Sequence, residues 1–200
     1  MKIKINGIDK ELTFADVEWQ QVDSMPEDPP NSVPIMKQTP ESVCFVLIYQ
    51  IDGTMPFDKP QEVIDGIHGA LQEDQGLIEV ETINDKKRAI YSIVKTMMEE
   101  NQLQYCLTLH FEYKGKFFNA TGFFSPNGMT GTRETIIYEM ARREGIVDEK
   151  GNGWCADPYD PKYKKGLLRN LSEDKNIDVK FPLNPLSECR KFANELIGQL

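Results

Sequence analysis

Gln104-Tyr105-Cys106-Leu107-Thr108-Leu109-His110-Phe111-Glu112-Tyr113 is the stretch whose reading decides the fold. Tyr105, Leu107, Leu109, Phe111 and Tyr113 fall on one side, and Gln104, Cys106, Thr108, His110 and Glu112 on the other. That period of two belongs to a strand with one buried face. Lys114-Gly115 supplies a tight turn, so Lys116 to Phe124 returns antiparallel. Upstream, Leu77 to Ile83 and Arg88 to Met98 are two further β-rich stretches separated by Asn84-Asp85-Lys86-Lys87. Val43-Cys44-Phe45-Val46-Leu47-Ile48-Tyr49 is apolar at every position, which predicts a central strand covered on both faces.

Between these strands, Val63, Ile64, Ile67, Ala70 and Leu71 recur at helical spacing while Glu62, Asp65, Gln72 and Glu73 point elsewhere. The pattern predicts an amphipathic helix ending at Gly76. Downstream, Ser125 to Gly131 is a Gly/Pro/Asn loop, and Ile136, Ile137, Met140 and Ala141 mark one face of a second helix stopped by Gly145. The expected order is strand, helix, three antiparallel strands, helix.

The flanks complete the picture. Ile3 and Ile5 alternate with Lys2 and Lys4, Asn6-Gly7 offers a positive-φ turn, and Ile8 to Phe14 can return as a hairpin arm. Ser24 to Pro40 carries Pro26, Pro29, Pro30, Pro34 and Pro40, each without a backbone donor, and reads as a surface loop. From Val147 to Phe181 no long period is present, until Asn184-Pro185 opens a final helix with Leu186, Cys189, Ala193, Leu196 and Ile197 as its inner stripe. The fold class expected is α+β: an antiparallel sheet with flanking helices, an N-terminal hairpin and a loop-rich C-terminal extension ending in a helix. The segment before Leu186 holds too few apolar residues for a core of its own, so residues 147–200 are expected to wrap a body formed by 1–146 as one domain.

Composition narrows the function. The 200-residue chain has a formal net charge of −9, and residues 1–100 hold 9 Lys+Arg against 19 Asp+Glu. Such a field repels phosphate backbones and anionic lipid surfaces, so neither nucleic acid nor membrane is the expected partner; another protein is, and a basic one is electrostatically permitted. Val43 to Tyr49 is far shorter than the roughly 20 residues of a membrane-crossing helix, and the N-terminus lacks an apolar signal core. A cytoplasmic location is expected. Cys44, Cys106, Cys155 and Cys189 have no close partner in sequence, which fits separate reduced thiols, and His68 and His110 are too far apart for a helical zinc pair. No cofactor is expected.

The element order over residues 43–145 resembles the PsbP-like fold, which is shared by a photosystem II extrinsic subunit, a yeast factor that binds the Ran GTPase, and bacterial proteins including secretion-effector chaperones. The resemblance rests on the apolar first strand, the helix between Pro60 and Gln75, the meander and the following helix. It implies a non-enzymatic scaffold or adaptor and brings no catalytic residues. The tail, with Asp157-Pro158-Tyr159-Asp160-Pro161, Asn170-Leu171-Ser172-Glu173 and Pro185-Leu186-Ser187, resembles C-terminal segments of uncharacterised bacterial proteins and implies no activity.

Candidate sites each have a plainer structural alternative. The loop Asn127-Gly128-Met129-Thr130-Gly131-Thr132-Arg133 enters a helix, where backbone N–H groups and Arg133 could hold an anion, with His110 nearby; it matches no phosphate-binding motif, and Thr130 or Thr132 is more simply an N-cap, which such a helix start wants anyway. His110 and Glu112 share a strand face as a conceivable acid–base pair, but lie about 7 Å apart at i and i+2. Asp148, Glu149, Asp157 and Asp160 lack the spacing of a calcium loop and fit Asx-Pro turns, with Trp154, Tyr159 and Tyr163 pinning the segment to the body. The aromatic set Tyr105, Phe111, Tyr113, Phe117, Phe118, Phe123 and Phe124 is core at alternating positions or the lining of a docking pocket. The leading expectation is a non-catalytic protein-binding module, adaptor or chaperone-like, with an exposed apolar patch. The alternatives are a small-ligand or anion binder or enzyme using the 127–133 loop, and an acidic immunity or inhibitor protein masking a basic target.

Overall fold

The computed structural model describes residues 1–15, 18–53, 55–99, 102–128 and 130–200. Strands β1 (Lys2–Ile3) and β2 (Leu12–Thr13) form the N-terminal hairpin. The main sheet contains β3 (Gln20–Gln21), β4 (Val33–Gln38), β5 (Ser42–Ile51), β6 (Gln75–Asn84), β7 (Arg88–Met97), β8 (Leu103–Tyr113) and β9 (Lys116–Pro126), in the order β3-β4-β5-β9-β8-β7-β6. Every pairing is antiparallel. Helix α1 (Pro60–Ala70) follows β5, α2 (Thr132–Arg143) follows β9, and α3 (Pro185–Gly198) closes the chain. The class is α+β. The meander has four strands, β6 to β9, one more than the sequence order counted.

The sheet divides into two unlike faces. Its inner face carries Cys44, Val46 and Ile48 of β5, Leu107, Leu109 and Phe111 of β8, and Phe118, Ala120 and Phe124 of β9, all fully buried. The stripe of α3, Leu186, Cys189, Phe192, Ala193 and Leu196, closes over them, and Ile3, Ile5, Leu12, Phe14 and Trp19 of the N-terminal segment complete that core. Phe192 stacks on Phe14 with ring centroids 5.4 Å apart. The start of α3 is set locally: the Asn184 side chain accepts the Leu186 N–H at 3.1 Å, and Pro185 occupies the first turn, where no donor is needed. On the outer face, Ile64 of α1 packs with Phe57, Leu77, Val80 and Ile90 in a second, smaller cluster.

Four expectations are corrected. Val33–Gln38 is strand β4 rather than loop, despite Pro34. The Pro34 carbonyl accepts from Val22 on the side of the two-residue strand β3. In an extended residue N–H and C=O point the same way, so the missing donor faces the sheet edge and not β5. Gly76 does not end α1, which stops at Ala70; it lies in β6 where the Leu167 carbonyl crosses so closely that a Cβ would sit 1.6 Å from its oxygen. Ile136 and Met140 of α2 are exposed, and the buried positions are Arg133, Ile137 and Ala141. Finally, β5 is not covered on both sides: Cys44, Val46 and Ile48 are buried, whereas Val43, Phe45, Leu47 and Tyr49 remain half-exposed.

The extension packs along the sheet. Tyr159 caps the free edge of β6, accepting the Val80 N–H at 2.5 Å and donating to the Val80 carbonyl at 3.0 Å, and the Leu167 N–H donates to the Gln75 carbonyl at 2.7 Å. An exposed edge is a template for unwanted strand pairing, and these contacts block it. Trp154 meets Tyr138 edge-on at 5.0 Å, and Tyr163 stacks on His68 at 4.1 Å. Asp157 accepts the Tyr159 and Asp160 N–H groups through one oxygen and meets His68 through the other at 2.9 Å, so it makes the Asx turn the sequence implied. Short strands β10 (Cys155–Ala156) and β11 (Arg169–Asn170) pair within the extension.

Candidate functional site

Arg133 has a structural role. The first turn of α2 aims its guanidinium into the extension, where Nε donates to the Ser172 carbonyl at 2.7 Å, Nη1 to Ser187 Oγ at 2.9 Å, and Nη2 to Asp178 Oδ1 at 2.9 Å. Asn184 Oδ1 and the Asp174 carbonyl accept from it as well. The residue is 1% exposed. Its donors are committed to protein acceptors, so it is a structural cation and not an anion hook.

The same network continues across the inner face. Asn170 caps the turn Leu171–Glu173, and the Glu173 carboxylate accepts the Asn170 N–H at 2.8 Å in return. So oriented, Glu173 takes Lys95 Nζ at 2.8 Å and the Tyr105 hydroxyl at 3.1 Å. Lys37 binds Glu188 of α3 at 2.8 Å. Burial, with Glu79 and Glu81 beside it, pushes the Tyr91 phenol far above its ordinary range, and its hydroxyl donates to both carboxylates. These are paired buried charges with their hydrogen bonds satisfied, the arrangement a low-dielectric interior tolerates.

Of the remaining loop residues, Asn127, Thr130 and Thr132 line a cleft of about 550 Å³ with Tyr105, Phe181 and Pro185. Gly128 is exposed beside it and Met129 lies outside the described residues. Neither Thr130 nor Thr132 caps α2: Gly131 holds the N-cap at φ 82 with no side-chain hydrogen bond. Asn127 Nδ2 donates to the Thr39 carbonyl at 2.7 Å and ties the loop to the start of β5. Glu41, Arg133 and Glu134 also line the cleft, and with the Arg133 donors already bonded to protein the two carboxylates disfavour an anion there.

His110 does not join them. Tyr105, beside the cleft, points to the inner face, whereas His110 lies on the outer face of the same strand, opposite Asn119 and Ile90. The acid–base pair also fails, because Glu112 is bound to Arg88 at 2.6 Å. Burial pushes the His110 pKa down, and its Nδ1 has no hydrogen-bond partner among the described residues. Burial likewise raises the Cys106 and Cys155 thiols, away from the thiolate form that reacts. Among the described residues no cluster of His, Cys, Asp and Glu could hold a metal ion, and no helix is long and apolar enough to cross a membrane.

What stands out is the outer face beside α1. Register aligns Met36, Phe45, Phe123 and Cys106 in one row across β4, β5, β9 and β8. The adjoining row is Pro34, Leu47, Thr121 and Thr108. Val43, Tyr49, Asn119, Ser125, Gln38, Gln104 and His110 extend the same surface, and none of these positions is Asp, Glu, Lys or Arg. Met36 is 38% and Phe123 37% exposed, and neither buried cluster includes Phe45, Leu47 or Phe123. The aromatic set is therefore split: Tyr105, Phe111, Phe118 and Phe124 are core, and Phe117 and Phe123 face outward. The doubly apolar run 43–49 was the signal for this surface, misread as a strand covered on both sides.

No protein-family model matches the chain, and no curated protein matches it. Among solved structures, the crystal structure of PA94, a Pseudomonas aeruginosa protein of unknown function, is similar over 73% of this chain and 92% of its own at 13% identity, with a TM-score of 0.32, too loose a likeness to carry fold or function.

Proposed function

We propose that the chain is a non-catalytic protein-binding module, adaptor or chaperone-like, that docks its partner on the outer face of the sheet. The uncharged lane over β4, β5, β9 and β8 is the observation that supports this reading. An antiparallel sheet with a solvated face ordinarily alternates apolar-in with polar and charged-out. Here the outward positions carry Met36, Val43, Phe45, Leu47 and Phe123, and interface centres share that depletion of charge and enrichment in aromatic residues and Met. The resemblance to PsbP-like proteins is consistent with an adaptor. The test is a pull-down from a lysate of expressing cells at low and high salt, with wild-type chain and Phe123→Asp side by side. One stoichiometric partner held by wild type and lost by the variant supports the reading. A partner retained equally by Phe123→Asp, or none at either salt, counts against it. Salt sensitivity of that contact would favour the acidic inhibitor variant of the same idea, a basic target masked by the first half of the chain.

A second reading, small-ligand binding at the 127–133 loop, is favoured by the cleft that Asn127, Thr130 and Thr132 line. It proceeds without His110, and with the Arg133 guanidinium at the cleft wall already held by protein acceptors.

A further inference from the structure

Between α1 and the outer face lies a pocket of about 230 Å³, walled by Met55, Val63, Ile67, Ile90 and Tyr91, whose hydroxyl is bound to Glu79 and Glu81, with Ser92, Thr108 and His110 as its remaining polar residues. Register sets Ser92 directly opposite Thr108 and Ile90 directly opposite His110. Cross-strand partners are about 5 Å apart and i, i+2 neighbours about 7 Å, so the three polar groups share one small tile of sheet. Among the described residues, His110 Nδ1 is buried without a hydrogen-bond partner. Buried polar groups are normally satisfied, and an unmatched imidazole nitrogen beside two hydroxyls in an otherwise apolar wall is the pattern of an orienting site for a small molecule.

The chemistry of the wall selects the class of ligand. No Asp, Glu, Lys or Arg lines the pocket, and burial keeps the imidazole in its neutral form, so a charged group entering would lose its water without gaining a counter-charge. A neutral imidazole offers one donor and one acceptor, and a hydroxyl can meet either. A dry apolar cavity of ~150 Å³ admits benzene, so this larger volume suits one ring bearing a small substituent or a fused pair. We propose that the pocket binds a small neutral, largely apolar molecule carrying one hydroxyl or ring N–H, the size of a monocyclic phenol or an indole, its polar atom held by Thr108, Ser92 and His110. Thr108 and His110 also border the docking face, so the pocket lies at its edge beneath α1, and it stands whether or not that face has a partner.

The experiment is a titration of the ¹⁵N-labelled full chain with 4-methylphenol, indole, benzoate and benzylamine, followed by amide chemical shifts. The two neutral probes are expected to produce saturable shifts at 90–92, 108–110 and along α1, with benzoate and benzylamine at least about tenfold weaker. Thr108→Val, which keeps the shape and removes a hydroxyl, should weaken 4-methylphenol about five- to tenfold. Ile67→Trp should fill the space and abolish the shifts; if that variant does not fold, Thr108→Val and the charged probes still decide. Shifts mapping to the 127–133 cleft, equal binding of charged and neutral probes, or no saturable shift with either neutral probe would each overturn the proposal.

Discussion

Arg190 of α3 and Glu79 of β6, 111 positions apart in sequence, form a buried ion pair with Nη2 2.8 Å from Oε2. Glu79 reaches this partner because β6 bulges at Ile78, which places Ile78 and Glu79 both on the inner face. Arg190 also donates to Asp178 Oδ1 at 3.0 Å and to the Glu173 carbonyl at 2.7 Å, so one side chain joins the last helix, the extension and the outermost strand of the meander.

Arg190→Leu is therefore expected to destabilise the fold by about 2–3 kcal/mol, because it leaves the buried Glu79 with only the Tyr91 hydroxyl and the half-exposed Lys175 at 3.7 Å in place of a close guanidinium. The double variant Arg190→Leu/Glu79→Leu should recover a large part of that loss, since an apolar pair can replace a buried ion pair of similar volume. Urea denaturation of both measures it. A single-variant loss under about 1 kcal/mol would mean that the site is wetter than its geometry implies.

Adjacent residues of β9 give a sharper contrast. Phe124 is fully buried against α3 and Phe123 is outward. Phe124→Ala should cost about 3–5 kcal/mol through the cavity it leaves. Phe123→Ser should change stability by no more than about 1 kcal/mol while removing the centre of the docking row. Equal losses in thermal or urea unfolding would show that something covers Phe123 in solution.

Much of this architecture was legible from local pattern. The alternation of 104–113 gave β8 and its buried side, Asn184-Pro185 gave the start of α3, and Trp154, Tyr159 and Tyr163 were read as pins. The misses share a physical cause: they depend on what lies opposite. Pro34 is tolerated because its missing donor meets the sheet edge, and Gly76 is required because Leu167 crosses it, yet neither neighbour is near in sequence. Arg133 could be offered as an anion hook beside the plainer structural reading because a helix start with an arginine looks the same locally whether its acceptors come from a ligand or from Ser172 and Asp178. The pocket at His110 depends on α1 folding back over β7 and β8, which no period announces.

Gly76 makes the strap over β6 testable. Gly76→Ala places a methyl where the Leu167 carbonyl passes, and that atom is backbone that cannot rotate away. The 157–168 segment should lift from the sheet edge, losing the Leu167 to Gln75 and Tyr159 to Val80 hydrogen bonds. Limited proteolysis and amide hydrogen exchange should then show early cleavage and lost protection across 157–168, with β5, β8 and β9 unchanged. Unchanged protection in the variant would mean that the crossing is looser than described.

His110 carries the clearest pH dependence. Burial lowers its pKa in the folded state below the unfolded value of about 6.5. Above about 6.5 both states are neutral and the group contributes no pH slope; as pH falls through that value the unfolded chain takes up a proton that the folded chain resists. Stability is thus lost on acidification from about 6.5 down to the lowered folded pKa, below which the loss levels off. Glu112 on the same strand face is bound to Arg88 and offers the imidazolium little relief, and the other groups around the pocket are uncharged. The difference in unfolding free energy between wild type and His110→Gln, measured by urea titration at about pH 7.5 and about pH 5.5, should shift in favour of the variant at the lower pH. Every other group is common to both proteins and cancels. A constant difference across that interval would mean that water reaches the imidazole freely and that the pocket wall is open at β8.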